Sequence, residues 1–107
     1  MQRVTVVRYP VKADRAAENE ALSRAVFAEL RAKAPAHVGY AVFRKGPDFL
    51  HVFINLRDED AEVLTGLSSF KAFSEAAGER YASPPEVMRS DMELVDAFGV
   101  SLALQPA

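Results

Sequence analysis

From Val4 to Tyr9 the chain is rich in β-branched residues and runs into Pro10, which lacks the amide hydrogen that a strand ladder needs. A first strand is predicted there. Over Asp14 to Ala34 the period changes: Ala, Glu, Arg and Leu dominate, and Leu22, Val26, Phe27 and Leu30 recur on one side at helical spacing. This predicts an amphipathic helix with Asp14 as its N-cap and Pro35 as its stop. His37 to Arg44 and Phe49 to Leu56 then read as two strands of a hairpin joined by Lys45-Gly46-Pro47-Asp48, a run of turn residues. The stretch RDEDAEVL predicts a short helical turn. Ser68 or Ser69 is placed to cap a second helix that turns Leu67, Phe70, Phe73 and Ala77 inward, with Gly78 at its frayed end. Ser83-Pro84-Pro85 breaks that helix, and a last long strand follows from Val87 to Phe98, with Met88, Met92 and Leu94 on one face and Arg89, Asp91 and Glu93 on the other. The tail SLALQPA is expected to be loosely ordered.

The order strand, helix, strand, strand, helix, strand is that of an α+β, ferredoxin-like βαββαβ domain, an antiparallel sheet with both helices on one face. A four-residue hairpin loop sets Arg44 opposite Phe49, Val42 opposite His51, Tyr40 opposite Phe53 and Val38 opposite Asn55. Side-chain parity then sorts two faces. Gly39, Ala41, Phe43, Leu50, Val52, Ile54 and Leu56 are small or aliphatic and are assigned to the core beneath the helices. Val38, Tyr40, Val42, Arg44, Phe49, His51, Phe53 and Asn55 form the other face, too apolar for open water. A second copy of the sheet is the simplest cover, so a homodimer through this face is expected.

Composition narrows the chemistry. A chain of 107 residues, half of them hydrophobic, suits one domain over residues 1–107. Thirteen Lys and Arg are scattered among fifteen Asp and Glu, which leaves no basic stripe for nucleic acid. No apolar run is long enough to span a bilayer and no signal-peptide core is visible, so a cytoplasmic location is expected, with no membrane partner. The absence of cysteine removes disulfides and thiolate chemistry, and two histidines are too few for a histidine-rich metal cage.

The element order, the first strand ending near Pro10, the FLHVFINL strand, the LSSFKAF helix start and the strand after PPEV together resemble the antibiotic biosynthesis monooxygenase-like domains of the dimeric α+β barrel superfamily, over residues 3 to 98. The resemblance implies two sheets paired face to face in a dimeric barrel. It also implies, for some relatives, oxidation of phenols or quinols by molecular oxygen with no metal, flavin or other cofactor. Haem-degrading relatives take an iron ligand from a histidine on the second helix, and Ser68 to Ala82 contains none. Many quinol-oxidising relatives carry a histidine near that helix's start, where this chain has TGLSSFKAF, and the tryptophan used by some polyketide-oxidising members is absent. No catalytic residue transfers by motif.

His51, set among Leu50, Val52, Phe53 and Ile54, is therefore weighed on its chemistry. As a functional group it would accept the proton of a small aromatic ligand, because imidazole titrates near neutrality. Otherwise it is an interface or core histidine with both nitrogens satisfied, which needs no chemistry. Tyr40, Arg44 and Asn55 share its face and could orient a phenol or carbonyl oxygen. His37, at a strand start, receives no role. Phe70, Phe73 and Leu67 read as core. Asp58-Glu59-Asp60 reads as an acidic helix start, not a metal site, and Asp91 with Glu93 as a solvated edge. Two functions stand at this point: a cofactor-independent monooxygenase of a small phenol or quinol, or a non-catalytic homodimeric barrel that binds a hydrophobic small molecule or is purely structural.

Overall fold

The structure, a computed structural model, describes residues 2–57 and 63–99. Strand β1 (Gln2–Pro10), helix α1 (Ala16–Lys33), strands β2 (Val38–Lys45) and β3 (Asp48–Asn55), helices α2 (Ser68–Glu75) and α3 (Ala77–Arg80) and strand β4 (Glu86–Met92) follow in that order. The sheet is antiparallel throughout, in the order β2-β3-β1-β4, and the helices cover one face. This is the predicted α+β, ferredoxin-like arrangement. The helical turn expected over RDEDAEVL falls mostly on residues 58–62 and the tail on 101–107, both outside the described residues.

The hairpin has the predicted register: Val42 faces His51, Tyr40 faces Phe53 and Val38 faces Asn55. Pairing continues to Lys45 and Asp48, so the turn is the dipeptide Gly46-Pro47, with Gly46 at φ 59°, where glycine pays no Cβ penalty.

The assignment of the two faces is reversed. Tyr9, Phe49, His51 and Asn55 are buried, and Phe27 of α1 stacks on Tyr40 at 4.7 Å while Phe73 of α2 lies 5.7 Å from His51. The polar-tipped aromatic face therefore lies beneath the helices. The small and aliphatic set, Ala41, Phe43, Leu50, Val52 and Ile54, points away from them; with Phe43 59 % exposed, it has no cover among the described residues. The physical reason is on the helices. The inward stripe of α1 is Ala16, Asn19, Ser23 and Val26, two of them polar, and α3 buries Arg80. These groups need hydrogen-bonding partners, which tyrosine and histidine supply and aliphatic side chains do not.

The ends of the elements differ in instructive ways. Asp14 does not cap α1; it sits in a 3₁₀ turn over Ala13–Arg15, and Arg15 is the N-cap residue, its side chain making no capping bond. Ala34 closes α1 in the left-handed conformation (φ 45°), its amide donating to the Leu30 carbonyl at 2.7 Å before Pro35. Neither Ser68 nor Ser69 caps α2. The Glu29 carboxylate of α1 takes that part: it accepts the Ser69 amide at 2.9 Å, the Ser69 hydroxyl at 2.6 Å and the Ser68 hydroxyl at 3.2 Å. These bonds to its charged form hold its pKa down at about 2 and tie the two helices together. Strand β4 ends at Met92, which pairs with Gln2, and not at Phe98; the Leu94 amide beyond it donates to Gln2 Oε1 at 2.6 Å.

Candidate functional site

Three side chains at the centre of the helix-covered face form a bridge. The Tyr9 hydroxyl lies 2.7 Å from His51 Nε2 and the Tyr40 hydroxyl 2.6 Å from His51 Nδ1. Register explains the meeting: Val7 is opposite His51 and Tyr9 opposite Phe49 on β3, while Tyr40 lies diagonally across on β2. His51 is 7 % exposed, and burial pulls its pKa down to about 4, so the ring is neutral near pH 7. Burial likewise pushes the Tyr9 hydroxyl up to about 12, against a partial pull downward from Asn19, and raises that of Tyr40.

Donor and acceptor accounting fixes the direction of the bonds from Arg80 to Tyr9 and assigns the two bonds to His51. Arg80, which can only donate, gives its Nε–H to Asn19 Oδ1 at 2.9 Å. The Asn19 amide is thereby oriented with Nδ2 toward Tyr9, and it donates to the Tyr9 oxygen at 2.9 Å. With one acceptor position of its oxygen filled in this way, Tyr9 is assigned as the donor to Nε2 of His51. A neutral imidazole that accepts at Nε2 carries its hydrogen on Nδ1, so His51 donates to the Tyr40 oxygen. The Tyr40 hydroxyl hydrogen is left without a partner among the described residues. In this tautomer five side chains form a chain that starts at a buried cation and finishes in a free donor.

That donor faces a cavity of about 510 Å3 between the sheet and helices α2 and α3. Tyr9, Tyr40, His51, Phe53 and Asn55 line its floor, Phe70, Phe73, Ser74 and Ala77 its roof, and Val87, Arg89 and Arg3 its β4 side. Of the residues singled out by sequence, His51, Tyr40 and Asn55 are brought together here. Arg44 is not: it donates to Glu20 at 3.0 Å and to the Gly46 carbonyl at 2.7 Å, and it lines a separate groove with Glu20, Ser23 and Phe27. Asp91 pairs with Arg3 at 3.2 Å on the exposed edge, and Glu93 lies beyond β4. His37, at φ 64°, uses its carbonyl to accept the Leu56 amide. Among the described residues no three His, Asp or Glu side chains converge as a metal site, and no helix is long and apolar enough to cross a membrane.

Tyr9, Asn19 and Arg80 are missing from the sequence-based selection. One signal for Asn19 was readable: it and Ser23 are polar, four apart, in line with Val26 and Leu30 on a helix whose buried stripe should be apolar.

No known protein family matches the sequence, and no curated protein resembles it. Solved structures do. A protein from Caulobacter crescentus provisionally named as an antibiotic biosynthesis monooxygenase superposes with a TM-score of 0.72 at 21 % identity, over 86 % of this chain and 90 % of its own. One from Bacteroides thetaiotaomicron, provisionally named in the same way, gives 0.73 at 12 % identity over 94 % and 95 %. A protein of unknown function from Nitrosomonas europaea gives 0.70 at 14 % over 94 % and 95 %. At such identities the likeness is one of fold: the chain shares its α+β, ferredoxin-like fold with solved structures that include proteins provisionally named as antibiotic biosynthesis monooxygenases.

Proposed function

We propose that the protein is a cofactor-independent monooxygenase that oxidises a small aromatic phenol or quinol with molecular oxygen. The observation that carries this reading is the Tyr9–His51–Tyr40 bridge in the floor of an aromatic-lined cavity of about 510 Å3, a volume that admits one or two rings. The phenolic proton leaves through the Tyr9 hydroxyl to Nε2 of His51, the ring nitrogen that accepts. The free hydroxyl hydrogen of Tyr40 is donated to oxygen charge that develops on the substrate. For a phenol with an open para position the balance is phenol plus O2 giving quinone plus water. One oxygen atom becomes the new carbonyl and the other leaves as water with the two hydrogens that the phenol loses.

Oxygen uptake with a panel of phenols, quinols and naphthols tests the reading. Tyr40→Phe and His51→Gln are each expected to lower kcat about 100-fold with little change in KM, since both act on charge that appears during reaction. Unchanged rates in both variants would overturn it. A phenol that binds and consumes no oxygen would establish the non-catalytic ligand-binding barrel in its place.

The face expected to pair, that of Tyr40 and His51, is covered by the helices, so the assembly proposed with this function is a homodimer through the opposite, outer sheet face. Phe43, Met88 and Met92 are exposed there beside half-buried Val4, Val6, Leu50, Val52 and Ile54. An apolar patch of this extent on a sheet needs a cover, and an isologous copy supplies one. Sedimentation is expected to give a dimer at micromolar concentration and a monomer for Phe43→Glu; a monomeric native protein would exclude this interface.

A further inference from the structure

Asn55 is 5 % exposed, and its Oδ1 accepts the Arg57 amide at 3.1 Å. Because an amide N–H can only donate, the oxygen must face Arg57, and Nδ2 is the atom left over. Among the described residues it has no partner, although it belongs to a side chain lining the cavity. A buried donor left unsatisfied costs stability, and a ligand acceptor removes that cost.

Two cations stand on the same side of the cavity. Arg3 is directly opposite Asn55, which places their Cβ atoms about 5 Å apart. Arg89 is opposite Thr5 on β4, diagonal to Arg3 at about 7–8 Å. Asp91 occupies Arg3, whereas Arg89 has no hydrogen bond or ion pair among the described residues. The cavity is thus polarised: the hydroxyl chain of Tyr9, His51 and Tyr40 lies toward one end, and at the other are three donors, one buried and unsatisfied and one an unpaired cation. Phe53 lies between them on β3, and Phe73 and Val87 line the same cavity.

The geometry points to an aromatic carboxylic acid as the ligand class. Its carboxylate would be held by Asn55 Nδ2 and the Arg89 guanidinium, with Arg3 alongside, its ring among Phe53, Phe73 and Val87, and its phenolic oxygen at the tyrosine–histidine bridge. This deepens the proposed function and rests on it only for what happens at the phenolic end; the carboxylate is a handle and takes no part in oxidation. Guanidinium suits the role because it meets a carboxylate with two parallel N–H donors.

The test compares 6-hydroxy-2-naphthoate with its methyl ester by calorimetry on the intact protein. The acid is expected to bind at least about tenfold tighter, the difference of one charge-assisted contact. Arg89→Gln, an exposed strand substitution, should remove most of that preference. Asn55→Asp keeps the acceptor for Arg57, replaces the donor by a repelling carboxylate and should do the same. Equal affinity of acid and ester, or a preference that survives both substitutions, overturns the ligand class, and so does the absence of binding by either compound. Oxygen uptake is read separately: acid-selective binding without oxygen consumption would leave the ligand class standing and remove the monooxygenase reading.

Discussion

Arg80→Met is expected to destabilise the protein by about 2–5 kcal/mol in urea unfolding, although it replaces a buried charge by an apolar side chain of similar length. Arg80 is 1 % exposed and has no carboxylate partner among the described residues. It is held by Asn19 Oδ1, by the Phe73 carbonyl at 2.7 Å and by the face of the Phe73 ring at 4.9 Å. Methionine satisfies neither oxygen, and each buried acceptor left orphaned costs about 1–3 kcal/mol. Relief from burying the charge offsets part of this, which is why the range does not reach the full sum of the penalties and the lost cation–π contact. A second readout separates this account from simple cavity formation. Without Arg80 the Asn19 amide is free to turn its oxygen to the Tyr9 hydroxyl, which releases Nε2 of His51. Nitrogen-15 NMR of the imidazole is expected to show the Nδ1–H tautomer in the native protein and loss of that preference in Arg80→Met. An unchanged unfolding midpoint with an unchanged tautomer would contradict the proposed chain.

Stability is also expected to fall as the solution is acidified from about pH 6.5 to about pH 4, by roughly 3 kcal/mol. The sign follows from the buried imidazole. In the unfolded chain His51 titrates near 6.5; in the fold, burial holds it at about 4. Between those values the unfolded state binds the extra proton, so acid favours unfolding. The contribution is fully retained above pH 6.5 and is lost once the pH has dropped through 4. Glu29 adds a separate loss at lower pH, because its carboxylate, held at about 2 by the bonds to Ser69, surrenders its share between about 4.5 and 2. Urea midpoints at constant ionic strength for the native protein and His51→Gln separate the two windows. The variant, whose amide supplies both donors and an acceptor and does not titrate, should lose much less stability between pH 7 and pH 4.5. Parallel curves for the two proteins would show that His51 is not the group responsible.

The sequence by itself determined the element order, the antiparallel hairpin and its register. All three are local: Pro10 and Pro35 stop elements, Gly46-Pro47 sets a turn, and a turn fixes which residues stand opposite across a few neighbouring pairs. From that register came the correct grouping of Tyr40, His51 and Asn55 on one face. Arg44 shares the face by the same parity, yet its position beside the turn carries it to Glu20, away from the cavity. Only the tertiary structure decided which face lies under the helices, because both faces of the hairpin are apolar enough to be covered. The choice rests on residues far away in the chain: Asn19 on α1 and Arg80 on α3 need polar partners in the core, and Tyr9 and His51 provide the matching donors and acceptors. Hydrophobic periodicity locates a buried stripe and carries no information about polar groups that satisfy one another across 42 or 61 positions of chain. The same blindness hid the direction of the hydrogen-bond chain and the unsatisfied Asn55 amide, since each exists only once donors and acceptors from separate elements have met.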